Sequence, residues 1–183
     1  MSDKSPIIIA IDTTEIDKGR DLLKKVHPYV SVFKVGLEFF LAHGADGVEK
    51  LRNEAPNLDL FLDLKLHDIP NTVRGAANAI SRLAPTFLTV HASGGGPMIQ
   101  SAAVALPGTK ITAVTVLTSL DKGEFGHMGF SEEIAELTSS LARNAVENGA
   151  RALVCSPLEV SRLRNELGDD IALITPEIGR AHV

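Results

Sequence analysis

Short apolar runs rich in β-branched residues alternate along the chain with longer stretches whose apolar positions recur every three to four residues. The first pattern predicts strands at residues 7–11, 30–35, 60–64, 87–90, 111–116, 152–155 and 171–175. The second predicts helices at 17–26, 38–54, 71–83, 97–105, 132–148 and 157–167. No low-complexity linker interrupts the series. The run made by Leu60, Phe61, Leu62, Leu64 and Leu66 is nearly continuous instead of alternating, as expected for a strand covered on both faces in a parallel α/β sheet.

Strict βα alternation in one domain implies a parallel sheet with right-handed crossovers. An open doubly wound sheet and a closed (β/α)8 barrel both satisfy it. Asp12, Lys34, Asp63 with Lys65, His91, Thr118 with Ser119, and Ser156 each fall at the carboxyl end of a different predicted strand. An open sheet gathers ligand groups mainly at one switch point, whereas a barrel collects them from every strand around one mouth. The pattern therefore favours the barrel.

A chain of 183 residues, 44% hydrophobic and with a formal charge of -5, fits one domain with a substantial core. A pI near 5.7 without a basic stripe argues against nucleic acid as a partner, while leaving room for a local basic pocket that takes an anionic metabolite. No stretch approaches the roughly 20 apolar residues of a membrane span. The apolar run at 7–11 is too short for a signal-peptide core and no cleavage site follows it, so a cytosolic protein is expected. Cys155, the single cysteine, follows Ala152-Leu153-Val154 and reads as a small buried apolar residue in a reducing compartment.

The densest chemistry lies at residues 60–72, Leu-Phe-Leu-Asp-Leu-Lys-Leu-His-Asp-Ile-Pro-Asn-Thr. Asp63 and Lys65 are two apart, which in a strand puts both side chains on one face. Asp68 follows just before Pro70, whose fixed φ and missing N–H end the strand and lead into a helix near Asn71 or Thr72. The bland reading is a surface ion pair worth about 0–1 kcal/mol. Charges inside so apolar a strand would be costly, however, and the economical place for them is its carboxyl end, where α/β folds put their sites.

Weaker features are read conservatively. His67 and His91 lack paired metal-ligand spacing and are expected as hydrogen-bonded structural groups. Residues 94–96, three glycines before Pro97, lack a dinucleotide fingerprint and read as a turn. Residues 121–130, with Gly123, Gly126 and Gly129, read as a mobile loop able to close over a substrate.

The segment from Phe61 to Val73 resembles the signature of the orotidine 5'-phosphate decarboxylases, in which an Asp, a Lys and a second Asp have this spacing. Ala10-Ile11-Asp12, Phe33-Lys34-Val35-Gly36, Val90-His91-Ala92, the glycines at 94–96, and residues 114–119 fall where that family has its matching segments. The resemblance runs from about Ile7 to Pro176. It implies a (β/α)8 barrel that converts orotidine 5'-phosphate to uridine 5'-phosphate in pyrimidine biosynthesis, without metal or organic cofactor. It further implies that Lys65 donates the proton, and that Lys34, Asp63, Lys65 and the Asp68 of a second subunit form an alternating charge array beside the pyrimidine. Asp12 would hold the ribose and Thr118 the base, while Asp68, Ile69 and Thr72 would be offered across a homodimer interface.

The residue types suit that chemistry. Loss of carbon dioxide leaves negative charge on a ring carbon, so the site needs a fixed cation aimed there and a proton ready to deliver. Lys65 can be both. Carboxylates beside an amine favour its ammonium form, which suits a general acid and disfavours the Schiff-base nucleophile of an aldolase. A metal-dependent sugar-phosphate decarboxylase or synthase of the same barrel shares the Asp, Lys, Asp spacing, but such enzymes resemble this chain with a carboxylate at the end of the second strand to hold magnesium. Here that position is Lys34, and magnesium takes oxygen ligands. A barrel that only binds a nucleotide or a protein is the third alternative, against which stands the cost of placing four charges at one mouth without a chemical task.

Past Thr175-Pro176 the chain departs from the family pattern, which continues with a phosphate-binding Arg, a loop, an eighth strand and a Gly-Arg pair. Here Glu-Ile-Gly-Arg-Ala-His-Val follows, a peptide also obtained by translating a common sequencing adapter. Residues 1–176 are accordingly read as a partial barrel domain and 177–183 as a tail foreign to it, with the consequence that the chain as it stands would be an inactive fragment. Gly179-Arg180 is not assigned the role of the family's Gly-Arg pair.

Overall fold

The computed structural model describes residues 5–117, 122–129 and 133–176. Its elements alternate as the sequence pattern predicts, except that two helices follow β5: β1 (Ser5–Ile11), α1 (Ile16–Val26), β2 (Val30–Gly36), α2 (Leu37–Glu54), β3 (Asp59–Leu66), α3 (Pro70–Ala79), β4 (Phe87–His91), α4 (Gly96–Ala105), β5 (Lys110–Val114), α5 (Lys122–His127), α6 (Ile134–Glu147), β6 (Ala152–Val154), α7 (Val160–Leu167) and β7 (Ala172–Ile174). The strands form one parallel sheet in the order β1 to β7.

That sheet is curled. Seven strands laid flat would separate the outer two by six spacings, about 29 Å. Instead Pro6 and Ile8 of β1 line the same cavity as Ile174 of β7, together with Lys34, Phe61, Val114 and Val154 from strands between them. The chain thus forms seven parallel strands of a (β/α)8-type barrel, helices outside and a cavity within.

The period-two alternation of each strand sorts its residues between two layers. Leu60, Leu62 and Leu64 of β3, Phe33 and Val35 of β2, Leu88 and Val90 of β4 and Ile111 and Ala113 of β5 join the core beneath the helices, with Leu23, Phe39, Leu51, Val73, Met98 and Ile99. Their neighbours Val32, Phe61, Thr89, Thr112, Val114 and Ala152 are equally buried but stand outside that core, on the sheet's inner face. The apolar run of β3 is explained by burial on both sides, as its sequence suggests.

The elements differ locally from the sequence pattern in three places. The helix expected over 71–83 stops at Ala79, and a separate 3₁₀ turn covers Ser81–Leu83, ending at Ala84 with φ 39°. β3 runs two residues past its expected end, to Leu66, carrying Lys65 with it. The segment expected as a mobile loop contains a helix at Lys122–His127, where Phe125 is buried and Glu124 and His127 lie at the ends that the helix dipole favours. Asp121 and Phe130, the bounds of that expected loop, lie outside the described residues, as do 177–183.

Candidate functional site

β3 departs from regular geometry where its charges lie. Leu62 pairs with Leu88 and Leu66 with Val90, so β3 uses four residues against two on β4. The surplus is taken up as a bulge, a device that re-aims side chains beside sites. Lys65 lies in it with φ 47°, a left-handed conformation for a residue with a Cβ. Such a backbone costs about 1–3 kcal/mol and persists only where its surroundings fix it.

The fixing group is Thr89 of β4, fully buried between the paired residues Leu88 and Val90. Its Oγ1 accepts the Lys65 backbone N–H at 2.8 Å and donates to Asp63 Oδ1 at 3.0 Å. Sequence reasoning missed this residue. The available signal was a single hydroxyl in the otherwise apolar run Phe87-Leu88-Thr89-Val90.

Asp63 is the hub. Lys65 Nζ donates to its Oδ1 at 2.8 Å and Lys34 Nζ to its Oδ2 at 3.1 Å, while Lys34 Nζ also lies 3.9 Å from Asp12 Oδ1. Three adjacent strands thereby present an unbroken alternation of charge, Asp12, Lys34, Asp63, Lys65, on the wall of a cavity of about 660 Å³. The Asp63 side chain is only 12% exposed. Burial pushes its carboxyl upward, but the hydrogen bond from Lys65 and the positive charges of Lys34 and Lys65 outweigh that and hold it below the usual carboxylate range. The carboxylate is therefore ionised and locked through both oxygens.

Other expected site residues are distributed differently. Asp68 and Ile69 stand exposed on the segment joining β3 to α3 and Thr72 in the exposed first turn of α3, apart from the Asp63 hub, with Ile69 66% exposed. Asp68 Oδ1 accepts the Ile69 N–H at 2.6 Å, and the Ile69 carbonyl accepts the N–H groups of Thr72 and Val73 to open α3 at Pro70. Thr118 and Ser119 lie outside the described residues. Ser156, at the end of β6, makes a capping box: it accepts from Leu158 N–H while its own N–H donates to Glu159.

The two histidines form a pair with ring centroids 5.2 Å apart at the ends of β3 and β4. Burial lowers the His91 pKa, and the charges of His67 and Lys65 add to the effect, with Asp63 opposing it. The glycines before Pro97 meet structural demands: Gly95 has φ +83°, and a Cβ on Gly96 would meet the side chain of Asn148, the residue that caps α6, at 2.6 Å. The turn expected at 94–96 is displaced toward β4: a 3₁₀ segment covers Ala92–Gly94, and Gly96 already opens α4. Cys155 is buried, as its sequence context suggests.

The arrangement can hold an ammonium at a defined point in a half-enclosed cavity and deliver a proton from it. A divalent metal fits poorly among these carboxylates, because the Lys34 ammonium lies between Asp12 and Asp63, where oxygen ligands and the ion itself would have to sit.

A family model described as "Orotidine 5'-phosphate decarboxylase / HUMPS family" matches residues 5–183. The chain is 49% identical over 174 residues to the orotidine 5'-phosphate decarboxylase of Thermobifida fusca, an alignment spanning 95% of this chain and 74% of that protein. It is 40% identical over 188 residues to the enzyme of the same name from Moorella thermoacetica, spanning 97% of this chain and 74% of the relative. Among solved structures, orotidine 5'-phosphate decarboxylase from Lactobacillus acidophilus superposes with a TM-score of 0.84 at 38% identity, over 93% of this chain and 80% of the other. An uncharacterized conserved protein from Geobacillus kaustophilus superposes with a TM-score of 0.85 at 30% identity, over 93% and 83%.

Proposed function

The chain belongs to the orotidine 5'-phosphate decarboxylase / HUMPS family, and on that premise we propose that it converts orotidine 5'-phosphate to uridine 5'-phosphate and carbon dioxide, the lyase step that completes UMP synthesis. The observation that carries this reading is the alternation Asp12, Lys34, Asp63, Lys65, with successive separations of 3.9, 3.1 and 2.8 Å on the cavity wall. Relatives named for this reaction at up to 49% identity support the substrate.

In the proposed reaction the bond between the ring carbon and the carboxylate breaks, carbon dioxide departs and the electron pair stays on the ring carbon. The Lys65 ammonium stabilises that pair and transfers a proton to it, forming the new C–H bond, and the amine regains a proton from water. Asp63 stands beside the departing carboxylate, and Lys34 neutralises Asp63 and Asp12 between them. Asp12 holds the ribose and Thr118 the base. A homodimer supplies Asp68, Ile69 and Thr72 of one subunit to the site of the other. The reaction needs no metal or organic cofactor, and the enzyme works in the cytoplasm; among the described residues, no helix is long and apolar enough to cross a membrane.

The test is to supply orotidine 5'-phosphate and follow release of carbon dioxide from its carboxyl group, with and without a chelator. Turnover unchanged by chelator supports the reading. Turnover abolished by chelator and restored by magnesium would refute the metal-free mechanism, and no release of carbon dioxide by the chain extended to the full length of its relatives would refute the substrate.

A further inference from the structure

We infer that Thr89 is a positioning residue for the decarboxylation, fixing Asp63 and Lys65 relative to each other across the β3–β4 boundary. The inference rests on the function proposed above for the same site. Three hydrogen bonds form a closed circuit: Lys65 N–H to Thr89 Oγ1 at 2.8 Å, Thr89 Oγ1 to Asp63 Oδ1 at 3.0 Å, and Lys65 Nζ to that same Oδ1 at 2.8 Å. Lys65 is therefore held at its backbone and at the far end of its side chain by two groups that also hold each other.

The bulge creates the need. With four residues of β3 spanning two of β4, the Lys65 N–H is displaced from the regular ladder, and a buried N–H requires an acceptor. A hydroxyl can take that hydrogen bond and still donate its own proton, which an apolar side chain of the same shape cannot do. Threonine adds a stiff χ1, so the oxygen's position is set by the β4 backbone. Because Thr89 is fully buried, water cannot replace it.

The donated hydrogen bond also constrains the carboxylate. Asp63 Oδ2 takes Lys34 and Oδ1 takes both Lys65 and Thr89. Rotation of the carboxyl group would break at least one of these, so the Lys65 ammonium has one resting place. A displacement of about 1 Å at a reacting group costs on the order of 10²-fold in rate.

Thr89→Val keeps the shape and removes both hydrogen bonds, Thr89→Ala removes them without the bulk, and Thr89→Ser restores the hydroxyl. Orotidine 5'-phosphate turnover is measured for each, with the carboxyl titration of Asp63 followed by ¹³C NMR. The expected result is a loss of about 10²-fold in kcat for Val and Ala with a much smaller change in KM, recovery to within a few-fold for Ser, and an Asp63 titration displaced upward in Val and Ala alone. A parent without turnover even when extended to the full length of its relatives defeats the proposed function, and the titration still decides on Thr89. Val or Ala with parental kcat, Ser as impaired as Val, or an Asp63 titration indifferent to the hydroxyl overturns the assignment.

Discussion

Lys34 and Asp63 meet although their backbones are out of step: Lys34 pairs with Phe61, and Asp63 pairs with Gly36, yet Nζ lies 3.1 Å from Oδ2. The lysine stem climbs two residues along the sheet to bring its ammonium between Asp12 and Asp63, and only 24% of the side chain stays exposed. A short cation from the next strand position would not span both carboxylates.

Lys34→Met, which keeps the stem and removes the charge, tests that bridge. Asp63 would retain Lys65 and Thr89 but lose the cation on Oδ2, leaving burial less well opposed. Removing one partner of a buried charged group costs about 1–3 kcal/mol, and turnover should fall about 10²–10³-fold with the lost electrostatic stabilisation. Denaturant unfolding at neutral pH and steady-state kinetics check both. Unchanged unfolding and unchanged kinetics together would show that the bridge is incidental.

Lys65→Ala removes the cation and the proton at once. Loss of a positioned general acid costs about 10²–10⁴ in rate, and loss of charge stabilisation adds to it, so turnover should vanish while uridine 5'-phosphate still binds, at lower affinity. Calorimetric titration beside a carbon dioxide assay separates the two. Near-parental turnover in this variant removes Lys65 from the mechanism.

The pH dependence follows from two groups with opposite chemistry and the same sign. The folded-state carboxyl of Asp63 is depressed, so its contribution is complete above the unfolded value of about 4 and is lost as pH falls through the lower folded value. The folded imidazole of His91 is also depressed, chiefly by burial and then by His67 and Lys65. The unfolded chain takes that proton first, so stability declines as pH falls below about 6.5, the ordinary histidine value. His91→Gln should flatten the unfolding free energy between about pH 7 and pH 5, and Asp63→Asn should flatten it below about pH 4. Parallel pH profiles for parent and His91→Gln would contradict the histidine assignment.

Much of this architecture was legible because strand and helix periods are written plainly: the run at 60–66 named β3, its double-sided burial and its charged end together. The alternation of Asp12, Lys34, Asp63 and Lys65 was readable for the same reason, since each closes an apolar run at a strand end. The bulge at Lys65 was not. A left-handed backbone at a lysine violates local preference and exists only because Thr89, 24 residues away in sequence, supplies the acceptor. α5 was hidden similarly, its two glycines, Gly123 and Gly126, weakening the helical signal that burial of Phe125 sustains. Ser156 looked like a site hydroxyl because its end-of-strand position is shared by caps and ligands alike.

Cys155 gives a prediction independent of the substrate. Burial, with the negative charge of Glu159 in support, pushes its thiol up to about 11. The thiolate is the reactive form, so the folded protein should react with a disulfide reagent at pH 8 far more slowly than a free cysteine, whose pKa is about 8.5. Adding denaturant should expose one reactive thiol per chain. Rapid modification under native conditions would place Cys155 in an open environment.

Asp68 tests the shared site. In one chain it stands exposed beyond β3, its carboxylate turned back to the Ile69 N–H, while the 66% exposed Ile69 beside it offers an apolar surface that a second subunit could cover. If Asp68 acts in the neighbouring site, Lys65→Ala and Asp68→Ala homodimers are each inactive for different reasons. A heterodimer of the two has one site lacking both residues and one site possessing both. Mixing the variants under conditions that exchange subunits should therefore restore turnover, approaching one quarter of parental activity at equal amounts, since about half of the dimers are mixed and each carries one intact site of two. If Asp68 instead serves its own subunit's site, every site in every mixture lacks one residue and no activity returns. Size-exclusion chromatography before and after mixing establishes that exchange took place, so an absence of recovery in exchanged dimers counts directly against the shared site.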